Sequence, residues 1–451
     1  MFGAMAKYDE TRDDSSHAIG AERRKKPGVV AILTAQEPAC VAIELSPLGL
    51  EIGRGAPADL LEPDDRVSRR HVRIRRVHGE WLIADLESRN GTFVGGEQIS
   101  GERALSGEPL VRIGRSLFWA VEDIAPFRAS RPIVASPADT PVLGGRLQSA
   151  WAEIALASRS GSTIYLRGES GSGKELAARA FHEARFGRGT KAPFVAVNCA
   201  AVPEGLAERL LFGAQRGAYS GANVDSEGYL QAAHKGTLFL DEIAELDPLV
   251  QAKLLRVIET REVLPLGATK PRAIEIGICV ASHRSLRDEV ARGRFREDLY
   301  FRLGRPEVQL PALRERLDEL PYLIARELSA VDEKLSASVT FVEACALRPW
   351  PGNVRELLLE VRRAGHRALE ARATLVEAHH LAGEAGLQIE AEGSESESPR
   401  GKVRMPSDDE IARALDENGG NVRGTARALG VHRNQLRRWL ERKSDGALKQ
   451  E

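Results

Sequence analysis

The sequence is poor in cysteine, in aromatic residues and in net charge. Four cysteines stand among 451 residues, and aromatic residues make up 5% of the chain. The cysteines lie far apart, which supports neither a disulfide framework nor a zinc site and fits a reducing compartment. The formal net charge of −1 excludes a chain that is basic throughout, although it is compatible with a local basic patch.

Long apolar runs are also missing. No run approaches the roughly 20 residues that span a bilayer, and the polar N-terminus carries no secretory signal core. Apolar residues make up 42% and charged residues 29% of the chain, which excludes wholesale disorder. We therefore expect a cytoplasmic protein without a membrane partner, built from about two to four domains.

The pattern of the sequence changes several times along the chain. Residues 1–28 are polar and predict a flexible tail, and the Pro-, Ala- and Ser-rich stretch 123–141 predicts a linker. Between them, residues 29–122 contain short alternating runs that are typical of a small β-sandwich. These runs are VAIEL (41–45), HVRIRRV (71–77), EWLIADL (80–86), TFVGG (92–96), PLVRIG (109–114) and SLFWAVE (116–122).

Residues 142–386 follow a different pattern. Four near-continuous apolar runs predict parallel strands that are buried on both faces, with helices between them. These runs are STIYLRG (162–168), PFVAVNC (193–199), GTLFLDE (236–242) and IEIGICVAS (274–282). From about residue 310 the pattern is helical throughout and predicts a helical lid. Residues 387–406 predict a second linker, and residues 407–451 a small all-α domain.

The segment LRGESGSGKE follows the first of these apolar runs and opens a helical pattern. It matches GxxxxGK in a strand–turn–helix context, where glycines let backbone N–H groups approach phosphates and Lys174 reaches the outer phosphates. The usual Ser or Thr after the lysine is Glu175, so one Mg²⁺ ligand is missing. A glycine-rich turn that only opens a helix is the alternative. The predicted nucleotide-binding residues here are Gly168, Glu169, Ser170, Gly171, Ser172, Gly173, Lys174 and Glu175.

The run GTLFLDE ends in two acids. Asp241 and Glu242 would stand at the carboxyl end of the sheet, beside the phosphate loop. There Asp241 suits a Mg²⁺ ligand, and Glu242 can orient an attacking water. The alternative is a strand that happens to end in two acidic residues.

Together with other motifs, these features resemble the AAA+ domain of bacterial enhancer-binding proteins, the activators of sigma-54 RNA polymerase. GESGSGKE and GTLFLDEIAEL resemble the two nucleotide motifs of that family, and FVAVNCAA, GRFREDLYFRLG and WPGNVREL resemble three others. The resemblance runs from about residue 143 to residue 381. It implies an α/β P-loop fold with a helical lid, and an ATP hydrolase that uses Mg²⁺ and works as a ring, in this family a hexamer.

The resemblance also assigns roles outside the phosphate loop. It implies that Asn198 couples Glu242 to the nucleotide state, that His283 is the sensor I residue, and that Arg355 is the sensor II residue. All of these would act on the bound nucleotide within one subunit.

Two arginines are implied to act across a subunit boundary. Arg296 and Arg302 fall at the positions of the family's arginine fingers, which complete the site of a neighbouring subunit. Such an arginine can contribute about 10³–10⁵ in rate. On charge pattern alone, the alternative is surface salt bridges with Glu297 or Asp298.

The family contacts sigma-54 through a loop that reads GAFTGA, and here the loop reads GAYSGA. Tyr219 and Ser220 are therefore mild departures at the two residues most closely tied to polymerase contact. Flanking glycines suit a loop that moves with the nucleotide state. The predicted contact residues are Gly217, Ala218, Tyr219, Ser220, Gly221 and Ala222.

The N-terminal sandwich carries IGR (52–54), SRRH (68–71) and LESRNGTFVGG (86–96), which resemble motifs of the forkhead-associated (FHA) domain, a reader of phosphothreonine. A guanidinium suits a dianionic phosphate, and hydroxyl and amide groups add charge-assisted hydrogen bonds. The implied partner is a phosphothreonine-containing protein of a Ser/Thr kinase pathway. A sandwich that only docks, without binding ligand, is the alternative. The implied peptide-binding residues are Arg54, Ser68, Arg69, Arg89 and Asn90, with His71 and Gly91 bracing the loops.

The C-terminal segment is locally basic. Residues 420–443 hold seven Arg or Lys residues against one Glu, and residues 410–443 resemble the Fis-type helix-turn-helix, a reader of double-stranded DNA. An amphipathic helix that binds a protein partner is the alternative. The candidate DNA contacts are Arg433, Asn434 and Gln435 on base edges and Arg437 and Arg438 on phosphates.

Three domains in this order predict an activator that binds upstream DNA, assembles into a ring and hydrolyses ATP to open sigma-54 promoter complexes, under phosphothreonine control. Two alternatives remain: an ATP-driven regulator of another partner, and a non-catalytic adaptor that reads phosphothreonine and DNA.

Overall fold

A computed structural model gives the fold of this protein and describes residues 25–55, 58–128, 132–134, 141–203, 205–218, 223–388, 408–417 and 425. The chain divides into two compact units, Met1–Gln388 and Ile389–Glu451. Among the described helices, none is long and apolar enough to cross a membrane.

The first unit begins with an antiparallel β-sandwich. One sheet has the strand order β2-β1-β11-β10-β7-β8, and the other has the order β4-β3-β5-β6-β9. The strands are β1 (Gly28–Thr34), β2 (Glu37–Glu44), β3 (Leu50–Gly53), β4 (Leu60–Leu61), β5 (Val72–Val77), β6 (Glu80–Asp85), β7 (Thr92–Val94), β8 (Glu97–Ile99), β9 (Glu102–Leu105), β10 (Leu110–Ile113) and β11 (Ser116–Val121). Each of the six alternating runs contributes to a strand, whereas β1, β3, β4, β8 and β9 lie outside those runs.

Strand β1 is buried on both faces, unlike a typical half-exposed sandwich strand. Successive side chains of a strand point to opposite faces, and here Val29 and Ala31 pack inside the sandwich. Val30 and Ile32 point outward into a second apolar core, which the lid shares. Because both faces are covered, six of the seven residues of β1 are buried.

Part of the segment predicted as the first linker forms secondary structure. It contains α1 (Ala125–Arg128) and β12 (Ile133–Val134). Phe127 is buried and meets the ring of Trp119 edge-on, with centroids 5.5 Å apart. The aromatic contact ties this segment to the sandwich.

The central domain is a parallel five-stranded sheet, of order β15-β16-β19-β14-β20, with helices on both faces. The four continuous apolar runs supply β14, β15, β16 and β19, and the edge strand β20 was not predicted. The elements are β13 (Val142–Leu143), α2 (Gly145–Ser160), β14 (Thr163–Arg167), α3 (Lys174–Phe186), β15 (Phe194–Asn198), α4 (Ala207–Phe212), α5 (Tyr229–Ala232), β16 (Gly236–Asp241), α6 (Pro248–Thr260), β17 (Glu262–Val263), β18 (Arg272–Ala273), β19 (Ile276–Ser282), α7 (Leu286–Ala291), α8 (Glu297–Leu303) and β20 (Glu307–Gln309).

The lid follows and is mainly helical, as predicted, apart from one pair of short parallel strands. Ser338 caps the second lid helix by accepting a hydrogen bond from the backbone N–H of Phe341. Its elements are α9 (Leu320–Val331), β21 (Ser336–Ala337), α10 (Val339–Ala346), α11 (Asn353–Glu370) and β22 (Leu375–Val376).

The second unit contains α12 (Asp408–Glu417), on which Ile411 and Ala414 are buried. Thr425 is also buried in this unit. The fold class is thus confirmed: a β-sandwich, an α/β domain with a helical lid, and a C-terminal helical domain.

Candidate nucleotide-binding site and ligand loops

The phosphate loop joins β14 to α3 at the carboxyl edge of the parallel sheet. Gly171 has φ +72°, and Gly173, the N-cap of α3, has φ +104°. This left-handed region favours glycine. A Cβ added to Gly171 would lie 2.1 Å from the carbonyl oxygen of Gly352. The loop therefore packs directly on the lid. It also lies at the N-terminus of α3, where the backbone N–H groups favour anions.

Two residues predicted from separate motifs, Lys174 and His283, bind the carboxylate of a third, Glu242. The buried Lys174 donates from Nζ to Glu242 Oε1 and to the Gly168 carbonyl, both at 3.1 Å. His283 Nδ1 lies 2.7 Å from Glu242 Oε2, and the His283 backbone N–H donates to the same oxygen at 3.3 Å. The structure thus brings the phosphate loop, the acidic strand and the predicted sensor I residue together.

The two acids at the end of β16 have opposite pKa shifts. Burial is the largest influence on Asp241 and raises its pKa, with Glu242 adding to the rise and Lys174 opposing it. Burial also raises the pKa of Glu242, but the His283 hydrogen bond and the Lys174 charge outweigh it, so the pKa is lowered. The surroundings therefore favour the ionised form of Glu242 more strongly than that of Asp241.

Asn198 ends β15 and pairs in register with Asp241 on the neighbouring strand. Its side-chain oxygen accepts from the Ala200 backbone N–H at 3.0 Å. In the described structure, the Asn198 side chain is not hydrogen-bonded to Glu242. The predicted coupling partners therefore stand at the same sheet edge without a hydrogen bond between their side chains.

The cavity above the loop measures about 480 Å³, within the usual range for small-molecule sites. Lys174, Asn198, Asp241, Glu242 and Arg355 all line it. Among the described residues, no group of three or more His, Cys, Asp or Glu side chains could hold a metal ion.

These residues nevertheless fit a nucleotide-bound Mg²⁺. This ion often takes only one or two carboxylates, with phosphate and water oxygens completing its shell, and Asp241 offers one carboxylate. The buried Ser172 hydroxyl has no hydrogen-bond partner and lies beside the Gly168 backbone. The Glu175 carboxylate pairs with Arg179, and its side chain, which also lines the cavity, is 58% exposed.

The lid holds the phosphate loop through contacts that we did not predict from the sequence. Asn353 is fully buried and donates to Glu169 Oε2 at 3.1 Å and to the Ser170 carbonyl at 3.0 Å. Its oxygen accepts from the Leu313 backbone N–H at 2.8 Å. Arg314 adds two hydrogen bonds to Glu169, at 2.9 and 2.6 Å. The motif WPGNVREL contains Asn353, but we assigned a role there only to Arg355.

A second unpredicted contact involves Arg316, which is 2% exposed. It donates to the Ser172 carbonyl at 2.8 Å and to Glu319 at 3.2 Å. Burial raises the pKa of Glu319 to about 8, while the Arg316 charge opposes that rise. Both side chains line the nucleotide cavity. Because a pKa of about 8 favours the protonated Glu319 carboxyl at neutral pH, the contact is a buried hydrogen bond, which is costly to leave unmade.

The two predicted arginine fingers are not among the residues that line the nucleotide cavity of this chain. Arg296 donates to Asp298 at 3.0 and 2.7 Å, as the salt-bridge alternative anticipated. Arg302 lies 3.4 Å from Glu259 and is 61% exposed. Both are thus accessible on the surface of one subunit.

The predicted contact loop is described only at its start. Gly217 has φ +81°, and a Cβ on Gly267 would lie 2.8 Å from the Ala218 side chain. The Gln215 backbone N–H donates to the Leu266 carbonyl at 2.9 Å. Four predicted residues, Tyr219, Ser220, Gly221 and Ala222, lie outside the described residues.

The predicted peptide-binding residues gather at three adjoining sandwich loops. The Arg54 backbone N–H donates to the Ser68 carbonyl at 2.9 Å, and the Arg89 backbone N–H donates to Ser68 Oγ at 3.0 Å. The Asn90 side chain donates to the Arg66 carbonyl at 2.6 Å. Arg54, Arg89 and Asn90 are exposed, which leaves their loops accessible to a ligand.

His71 and Gly91 brace these loops, and neither is part of the exposed surface. Buried His71 accepts from the Ser68 backbone N–H at 3.0 Å, and its Nε2 lies 3.2 Å from the Gly91 carbonyl. Burial lowers the pKa of His71. Arg69 is exposed next to them, and its carbonyl accepts from the Gly55 N–H at 3.4 Å.

The candidate DNA contacts Arg433, Asn434, Gln435, Arg437 and Arg438 lie outside the described residues.

Three family models match the chain in succession. The FHA domain model matches residues 50–115, the Sigma-54 interaction domain model residues 144–309, and the model described as Bacterial regulatory protein, Fis family, residues 408–442. Their order agrees with the order of domains predicted from the motifs.

Known proteins show the same similarity. The transcriptional regulatory protein ZraR of Klebsiella oxytoca is 35% identical over 329 residues, or 69% of this chain and 71% of that protein. ZraR of Salmonella typhi is 38% identical over 301 residues, 64% of this chain, and the match spans just under two thirds of its length, 65%. The crystal structure of NtrX from Brucella abortus superposes with a TM-score of 0.50 at 28% identity and 68% coverage of each chain.

Proposed function

Because this chain belongs to the family of sigma-54-dependent transcriptional regulators, we propose that it hydrolyses ATP as a ring oligomer to convert closed sigma-54 promoter complexes into open ones. Its Fis-type domain would hold it on upstream double-stranded DNA. The observation that carries the proposal is the meeting of Lys174, Glu242 and His283 beneath a cavity of nucleotide size.

The contacts suggest how hydrolysis is controlled. Lys174 is bound to Glu242 in this structure, and the outer phosphates of ATP would compete for the same ammonium group. Once Lys174 turns to phosphate, Glu242 loses one partner and can orient the attacking water. The His283 hydrogen bond, the largest of the influences that lower the Glu242 pKa, would remain and favour the ionised carboxylate. Asn198, at the same sheet edge, would then hydrogen-bond to the Glu242 carboxylate.

A Mg²⁺ ion bound with ATP would neutralise phosphate charge. Asp241 would hold it from the protein side. Arg355 lines the cavity from the lid and would report the phosphate state to that domain.

The remaining charge would come from a neighbour. Arg296 and Arg302 are exposed and stand outside their own cavity lining, so in a ring, a hexamer in this family, they could complete the next subunit's site. Their pairs with Asp298 and Glu259 lie at the surface, where such ion pairs contribute only about 0–1 kcal/mol and are easily exchanged.

A steady-state ATPase assay of the full chain tests the catalytic part. We expect turnover per subunit to rise with protein concentration, because the site is completed in trans. Glu242→Gln should keep nucleotide binding and lose at least about 100-fold in turnover. The control is Glu245→Gln, which removes a nearby carboxylate that pairs with Arg284. No turnover at any concentration would refute the motor and favour the non-catalytic adaptor.

Open-complex formation tests the coupling to polymerase. Purified sigma-54 RNA polymerase would be given a supercoiled template that carries this protein's binding site, with ATP or a non-hydrolysable analogue. We expect open complexes only with ATP. If a phosphopeptide is bound and ATP is hydrolysed but no open complexes form, the result would favour a remodelling target other than sigma-54. The departures at Tyr219 and Ser220 in the contact loop are the reason for testing this alternative.

We further propose that the sandwich binds a phosphothreonine peptide from a kinase-pathway protein and thereby controls the ATPase. Arg54 and Ser68 would hold the phosphate, while Arg69, Arg89 and Asn90 would hold the peptide backbone and flanks. Calorimetry with a phosphothreonine peptide library should show binding that Ser68→Ala weakens and dephosphorylation abolishes. The control is Arg103→Ala, an exposed arginine of β9 that pairs with Glu97. Equal binding of phosphorylated and unphosphorylated peptides would contradict the proposal.

A further inference from the structure

The sandwich and the lid share one continuous apolar core. The outward side chains of β1 and β11, which include Val30, Ile32 and Trp119, pack in the same cluster as Leu320 of α9 and Phe341 of α10. All five side chains are almost completely buried. Such burial on both sides of a domain junction is typical of a fixed interface, since mobile domain contacts are usually more polar.

Charged groups fix the same junction. Arg112 of β10 donates from Nε to Glu343 of α10 at 2.6 Å, and the two side chains are 14% and 7% exposed. The Arg112 guanidinium also lies over the Phe93 ring, 3.7 Å from its centroid. Removing one partner of a buried pair leaves an uncompensated charge, so this contact specifies how the two surfaces meet.

A second arginine crosses the junction from α2. Arg146 donates to Glu108 of the sandwich at 2.8 Å and to the Glu315 carbonyl of the lid segment at 2.5 Å. Its guanidinium stands over the rings of Trp119 and Phe127. Helix α2 is thereby tied to both domains.

The turn 316–319 joins this junction to the nucleotide cavity. Leu317 belongs to the shared core, while the neighbouring Arg316 donates to the phosphate-loop carbonyl of Ser172. Glu319 accepts from the Gly144 N–H at 3.0 Å, at the start of α2 beside the cavity. One short turn therefore contacts the sandwich on one side and the nucleotide-binding loop on the other.

We propose that the sandwich is a fixed part of the ATPase, and that its packing against the lid sets nucleotide affinity through the turn 316–319. Arg316 and Glu319 are positioning residues in this arrangement: they hold the phosphate loop and the start of α2. A peptide bound to the sandwich would then act through an intact junction, without release of a tethered domain. This inference rests on the proposed nucleotide site.

Charge reversal at the Arg112–Glu343 pair tests the proposal in the full-length chain. The single variants Arg112→Glu and Glu343→Arg place like charges together, whereas the double variant restores an opposite pair. We expect each single variant to weaken binding of a fluorescent ATP analogue about 5- to 100-fold, the usual range for coupled sites. The double variant should recover most of the affinity.

Hydrogen exchange measures the junction itself. Peptides that cover residues 28–34, 116–121 and 316–320 should exchange faster in the single variants and slow again in the double variant. If single charge reversal does not speed their exchange, the pair does not hold the junction, and the proposal fails. The control is Glu102→Arg, which reverses a charge on the second sheet, where Glu102 pairs with Arg75.

The decisive outcome is whether exchange at the junction and nucleotide affinity change together. Faster exchange at the junction with unchanged nucleotide affinity would overturn the inference while leaving the ATPase proposal intact. A wild-type chain that binds no ATP analogue would instead refute the proposed function. If the reversed variants fail to fold, Arg316→Met gives a second test: affinity should fall while exchange of residues 28–34 stays as in the wild type. Unchanged affinity in that variant would also overturn the inference.

Discussion

Replacement of Asn353 offers a sharp test of how the lid holds the phosphate loop. Its side chain bonds Glu169 and Ser170 in the loop and Leu313 in the lid segment, and it is fully buried. Its φ of +51° lies in the left-handed region, which asparagine tolerates better than alanine. Asn353→Ala therefore removes hydrogen bonds and introduces backbone strain together.

The magnitude follows from these contacts. The Leu313 N–H and the Ser170 carbonyl would each lose a hydrogen-bond partner, at about 1–3 kcal/mol for a buried group. Alanine in the left-handed region adds about 1–2 kcal/mol. We expect a total destabilisation of about 3–8 kcal/mol. For a domain of this size, each kcal/mol lowers the melting temperature by roughly 2–4 °C.

Asn353→Gly separates the two contributions, because glycine loses the same hydrogen bonds without the strain. Scanning calorimetry of the full chain should show the melting temperature of the α/β domain and lid falling by about 6 °C or more in Asn353→Ala. Asn353→Gly should melt a few degrees higher than the alanine variant. Equal melting temperatures of the two variants would refute the strain argument. Melting temperatures equal to that of the wild type in both variants would refute the hydrogen-bond argument.

Two further predictions concern the loop glycines and the sandwich. Gly171→Ala should reduce binding of a fluorescent ATP analogue at least about tenfold, because its Cβ would meet the Gly352 carbonyl at 2.1 Å. Gly173→Ala should cost less, since a Cβ there meets nothing within 4 Å and only the backbone strain at φ +104° remains; equal losses would contradict the packing argument. Hydrogen bonds from Arg70 and Arg73 lower the pKa of Glu51 from 4.5 to about 2. Its stabilisation is therefore present above pH 4.5 and lost as the pH falls towards 2. Glu51→Gln should flatten that part of the sandwich's acid unfolding curve, and an unchanged curve would contradict this assignment.

Much of the candidate nucleotide site could be predicted from the sequence. Glycines and a lysine at fixed spacing, and two acids after a buried strand, encode their chemistry within a few residues of chain, so motif reading could find them. It also predicted that Lys174 and Glu242 lie near each other, because the carboxyl ends of parallel strands share one sheet edge. The roles of Arg296, Arg302 and the DNA-contacting residues stay predictions.

Contacts between distant segments could not be read in the same way. Asn353 lies 184 residues from Glu169, and no local pattern records that they meet. The signal for the shared core was present but incomplete: SLFWAV in β11 is buried on both faces, yet we interpreted it as an ordinary alternating strand. A continuous apolar run shows that both faces are covered, but it does not show what covers them.

The sequence by itself therefore determined the three domains and their order, and it predicted the residues that bear their chemistry. Only the tertiary structure decided that the sandwich is seated on the ATPase lid. The partners in that junction, such as Arg112 and Glu343, are 231 positions apart. Their pairing depends on two complementary surfaces meeting in space, which the spacing of residues along one chain does not specify.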